Sequence, residues 1–174
     1  MACRLFSDGR PCILFVFVDV VSTAKSQALQ VAHVRSLLVP PRLELRDWDY
    51  GAPGEAYPCW MVLEDPSWNI GIAHCSQGFG PRHPWGLLHL KGEFMSMGMD
   101  TNWAPRFLNA YFESQMATDL PIWRVFRRPP EEAFPGTPIS APGSWDATWA
   151  EVNRLRALHP ELRFDCQQSV HVWW

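Results

Sequence analysis

The chain is notable first for what it lacks. It has no CxxC pair, and its five cysteines, at positions 3, 12, 59, 75 and 166, form an odd set without the close spacing of a disulfide scaffold or a zinc module. Reduced thiols in a cytoplasm fit that pattern. There is no basic excess, since the net charge is −3 and the pI near 6.0, so nucleic acid is not expected as a partner. No apolar run is long enough to cross a bilayer. HExxH, a glycine-rich nucleotide loop and internal repeats are all missing, and no metal or cofactor is expected.

The one segment that imitates a targeting signal is the start. Arg4 and Arg10 precede an apolar run from Cys12 to Val21, and Ser22-Thr23-Ala24 has the small residues of a cleavage site. Asp19 interrupts the run. A strand buried on both faces over Ile13–Val21 is therefore expected, with a cleaved leader over residues 1–24, and a secreted protein, as the alternative.

What is present is tryptophan, ten of 174 residues, in a chain long enough to bury a core as one domain, 1–174. The segment Arg128–Gly143, RPPEEAFPGTPISAPG, is the one candidate internal boundary, because its prolines read as a surface strap or a stiff linker. The elements expected in order are a helix over Ser26–Val39 stopped by Pro40-Pro41, an edge strand around Leu43 and Leu45, a loop over Asp47–Pro58, and a strand Cys59–Leu63. Further on come a short strand or pliable lip at Glu93–Met99, a helix from Thr101 or Asn102 to Ala117, and a strand Ile122–Arg127. Ser144 caps a helix to Leu158 with a stripe of Trp145, Trp149, Val152 and Leu155. Two last strands, Leu162–Cys166 and Ser169–Trp174, would be joined by a tight turn at Gln167-Gln168. The fold class is α+β, a mostly antiparallel or mixed sheet with about three helices in a single compact domain.

The chain is organised around Asn69–Gly92, NIGIAHCSQGFGPRHPWGLLHLKG. Ile70, Ile72 and His74 alternate with Gly71, Ala73 and Cys75, and Trp85, Leu87 and His89 with Gly86, Leu88 and Leu90. This is strand parity with both faces apolar enough to be covered. The two runs are expected to pair, with Ser76–Pro84 as a glycine and proline loop on a firm β frame.

Two functional readings follow from that loop. In the first, Phe79, Pro81, Arg82, His83 and Trp85 form an exposed aromatic and cationic patch through which the protein binds another protein, as an accessory or inhibitory, immunity-like module. On this reading Phe79→Ala together with Arg82→Ala leaves the melting temperature nearly unchanged and abolishes capture of the partner. In the second, Cys75 is the nucleophile of a hydrolase or acyl transferase with His83 or His89 as base and the amides of Gly78 to Gly80 as an oxyanion cradle. The spacing of Cys75, His83 and His89 is not diagnostic, and a buried inert thiol is the commoner state of such a cysteine. A metal shell from His74, His83 and His89 with Asp65 or Asp100 lacks any recognised ligand spacing. The binding reading asks for less and is preferred; the oligomeric state is not assigned.

Overall fold

The computed structural model describes residues 24–128 and 136–168, so the expected strand at 13–21, the leader reading of 1–24, most of the proline-rich segment's first half and the expected strand at 169–174 lie outside the described residues. The class is α+β: three α-helices and two antiparallel sheets among the described residues. The chain divides into two compact units, one ending at Met116 and the other starting at Ala117.

The first unit is built on a five-stranded meander in the order β1-β2-β3-β4-β5, with β1 at Leu38–Arg46, β2 at Tyr57–Asp65, β3 at Ile70–His74, β4 at Trp85–His89 and β5 at Trp103–Ala104. Helix α1, Ala24–Leu37, precedes it and runs straight into β1. It starts two residues before the expected cap at Ser26. It ends at Leu37, two residues short of the expected Val39, and Pro40 and Pro41 lie inside β1, where the register shifts between Leu38 and Arg42. An outer strand with a bulge is where a residue lacking an amide hydrogen is tolerated.

β3 and β4 pair antiparallel from Ile70 opposite His89 to His74 opposite Trp85, and all of β3 is buried. The parity read from sequence holds on both strands. Ala73, Cys75 and Leu88 face one side, where they join Tyr57, Cys59, Met61, Met97 and Trp103 in a buried cluster with Trp48, Phe79 and Leu90 at its margin. On the opposite side the Trp85 ring meets Phe107 edge to face at 5.4 Å. Gly86 is required by the close approach of Trp103, since a Cβ there would lie 2.5 Å from the indole.

The helix expected from Thr101 or Asn102 to Ala117 is shorter. A 3-10 turn at Asp100–Asn102 leads into β5, and α2 covers only Phe107–Glu113, followed by another 3-10 turn at Gln115–Ala117. Pro105 forces extended backbone on Ala104, and Trp103 is held in the sheet opposite Gly86 with its indole Nε1 donating to the Met97 carbonyl at 2.8 Å. Arg106 then becomes the residue preceding the helix. Glu93–Met99 forms no strand. Met97 is fully buried and its amide donates to the Asp47 carbonyl at 2.8 Å, while Met99 is exposed.

Two buried polar side chains tie this unit together. Arg46, 3% exposed, donates to the carbonyls of Met95 and His89 at 2.9 and 3.0 Å and pairs with Glu44. Tyr111 is fully buried with its hydroxyl 2.5 Å from His33 Nδ1, and burial pushes its pKa well up.

The second unit has a three-stranded sheet, β7-β6-β8, with β6 at Trp123–Arg128, β7 at Thr137–Pro138 and β8 at Arg163–Gln168. Helix α3, Trp145–Leu158, is capped as expected by Ser144, whose hydroxyl accepts from the Ala147 amide. Its Val152 packs with Val125 and Phe164, and Leu155 lies against that cluster. Trp149 departs from the expected stripe: it is 38% exposed, stacked on Trp145 at 5.5 Å with the Arg156 guanidinium over its ring. Gln167 and Gln168 are not a turn. They pair with Arg124 and Trp123 as the last residues of β8.

Candidate functional site

Strand parity carries β3 to His74 and leaves Cys75 as the first residue of the connecting segment, its amide donating to the Pro84 carbonyl at 2.8 Å, so the loop closes at its root like one more rung of the ladder. Within it the Gly80 amide donates to the Gln77 carbonyl at 3.0 Å and that of His83 to the Phe79 carbonyl at 3.3 Å. Gly78 sits at φ +62°, a conformation that side chains rarely adopt, with Met97 against it. At Gly80 the backbone of Ser76 comes within 2.7 Å of where a Cβ would be. The two glycines let the chain fold back on itself.

The loop is fastened by Phe79. Its ring stacks on Trp103 at 5.6 Å and meets Trp48 edge to face at 4.9 Å, and Trp48 in turn contacts Tyr57 at 5.8 Å. The three residues next to the fastened turn, Pro81, Arg82 and His83, are all exposed. Tyr50, 69% exposed, touches the outer side of Trp48 at 6.1 Å. Of Trp48 and Tyr50 in the expected Asp47–Pro58 loop, then, Trp48 tucks back and Tyr50 faces water.

The expected patch is therefore only partly at the surface. Pro81, Arg82 and His83 are exposed as read; Phe79 is half-buried and serves as the anchor; and Trp85 is 5% exposed. Trp85 is buried because it is the first residue of β4, whose parity turns it toward α2, where it lies between His74 at 4.9 Å and Phe107.

The thiol and imidazoles of the acyl-transfer reading do not come together. Cys75 is fully buried while His83 is exposed. His89 stands opposite Ile70 at the far end of the β3–β4 pair, about 13 Å of strand from the loop's root at about 3.3 Å per residue. The Gly80 amide is already committed to Gln77. His74 is buried beside Trp85, and desolvation holds its pKa below the usual imidazole range. Among the described residues no group of three His, Cys, Asp or Glu side chains converges as a metal shell.

What the thiol meets instead is another thiol. β2 and β3 place Met61 opposite Ala73 and Trp60 opposite His74, so that Cys59 is opposite Cys75 at the next step. Both are fully buried in one cluster, and both are free. The hydrogen bond between them favours the thiolate at Cys75, drawing it below the usual thiol range against the effect of burial, and pushes Cys59 well up. Cys59 escaped notice in sequence because it is sixteen residues away; the register count of the expected meander is the signal that finds it.

No protein-family model matches the chain, and neither the curated proteins nor the solved structures include one significantly similar to it. Among the described residues no helix is long and apolar enough to cross a membrane.

Proposed function

We propose that the protein acts by binding another protein, as an accessory or inhibitory module, through the tip of the 76–85 loop. Pro81, Arg82 and His83 supply the contacts, and Phe79 fastens the loop that presents them. The observation that carries this reading is that three consecutive exposed side chains follow a turn whose backbone is closed by its own hydrogen bonds and whose Phe79 ring is stacked on Trp103. A contact loop already held in one conformation loses less conformational entropy on binding than a free one. The chemistry of the tip favours a partner that offers a carboxylate, since an arginine fork pairs with it in two parallel bonds. A cytoplasmic setting belongs to the same reading and is supported by the free thiols at 59, 75 and 166.

The test is affinity capture from a lysate by the wild-type chain and by the Arg82→Ala/His83→Ala variant, with Arg154→Ala on the exposed face of α3 as a control. The reading expects a protein retained by wild type and control and lost by the double variant, at unchanged melting temperature. Equal retention by all three, or none by wild type, overturns it.

A further inference from the structure

The first unit contains a sulfur-rich interior that loop binding does not use. Cys59, Met61, Cys75 and Met97 are all fully buried in the cluster beneath the loop. Extending the β2–β3 register one step past Trp60 opposite His74 sets Cys59 in β2 against Cys75, the residue that follows β3. Directly opposed residues in such a pair have Cα atoms about 4.5–5.5 Å apart, which lies inside the roughly 4.4–6.8 Å window that a disulfide needs. A bridge between them is thus within reach of the register that pairs β2 with β3. Cys75 is also the residue whose amide closes the loop on Pro84, so the bridge would join β2 to the loop's root.

We propose that Cys59 and Cys75 form a dithiol site that closes to an intramolecular disulfide by exchange with a low-molecular-weight disulfide of the glutathione class. The thiolate of Cys75 attacks one sulfur of oxidised glutathione, breaking its S–S bond, forming a mixed disulfide and releasing one glutathione thiolate, which takes up a proton. The Cys59 thiol gives its proton to solvent and attacks the Cys75 sulfur, forming the Cys59–Cys75 bond and releasing the second glutathione. Two protein thiols are oxidised and one glutathione disulfide is reduced to two thiols, so the exchange balances. Cys75 is the entry point because the hydrogen bond from Cys59 favours its thiolate. Since neither sulfur is exposed, attack follows local opening at the loop's root, and the reaction is slow under native conditions and faster in mild denaturant.

The proposal is independent of any binding by the loop and is tested without a partner. The reduced full chain is incubated with oxidised glutathione, with and without denaturant below the unfolding transition, then quenched, digested without reduction and mapped. The expected result is a peptide pair joined through Cys59 and Cys75, a protein lighter by two hydrogens, and faster formation in the denaturant. Cys59→Ala should stop at a single glutathione on Cys75. Separate glutathiones on the two cysteines of the wild type, pairing of either with Cys3, Cys12 or Cys166, or a link that appears only after complete unfolding would each overturn the assignment.

Discussion

The ring of Phe79 lies 5.6 Å from that of Trp103 and inclined to it by 26°, so the residue that read as a protruding aromatic of the loop is instead its fastening to the sheet. The consequence is a division of labour within five residues. Phe79 holds, and Pro81, Arg82 and His83 are presented.

That division makes the stability effects of neighbouring substitutions differ. Phe79→Ala should destabilise the first unit by about 2 kcal/mol, less than the roughly 3–5 kcal/mol of a fully buried phenylalanine because the ring keeps some exposure. Arg82→Ala should fall within about 0.5 kcal/mol of wild type, as exposed substitutions do. Denaturant midpoints of the two variants check both values; equal midpoints would show that the ring contributes nothing to the fold.

His74 supplies a pH dependence with a defined sign. Burial beside Trp85 lowers its folded pKa below the ordinary value of 6.5, so below pH 6.5 the unfolded chain binds a proton there that the folded chain does not. The stability contributed by the neutral imidazole is present above that pH and is lost as pH falls toward the folded pKa. Denaturation between pH 7.5 and 5 should show wild type losing stability with a steeper slope than His74→Phe, which has no proton to take up. Parallel slopes would contradict this assignment.

Arg46 joins three stretches of chain from a buried position, its guanidinium bonded to the carbonyls of Met95 and His89 and to the Glu44 carboxylate. Arg46→Ala leaves those two carbonyls and part of Glu44 without a donor and should cost roughly 3 kcal/mol, in the range for removing one partner of a buried ion pair. Arg46→Lys should recover only part of it, because an ammonium cannot reproduce the planar fork. Thermal unfolding of the two variants separates the charge from the geometry.

The legibility of these elements in the sequence varied for identifiable reasons. β3 and β4 were readable because alternation over Ile70–His74 and Trp85–His89 is a local property with a period of two, and the glycines and prolines between them mark a turn whatever the surroundings. The cap of α3 was readable for the same reason: Ser144 acts on an amide three residues away. The segment Asp100–Ala117 misled because its apolar spacing suits a helix, while the indole of Trp103 is claimed by Met97 and its backbone by β4. Gln167-Gln168 misled because turn-like composition gave way to pairing with Arg124 and Trp123.

At the candidate site the same boundary applies. The residues of the chain fix the place of the loop, its two flanking strands and the parity that sends Cys75 and His74 to opposite faces, since these depend on neighbours a few positions apart. Which aromatic holds the loop and which side chains reach water, and the pairing of Cys59 with Cys75, were settled only when distant segments packed. Burial and strand register are relations between parts of the chain remote in sequence, and no local pattern encodes them.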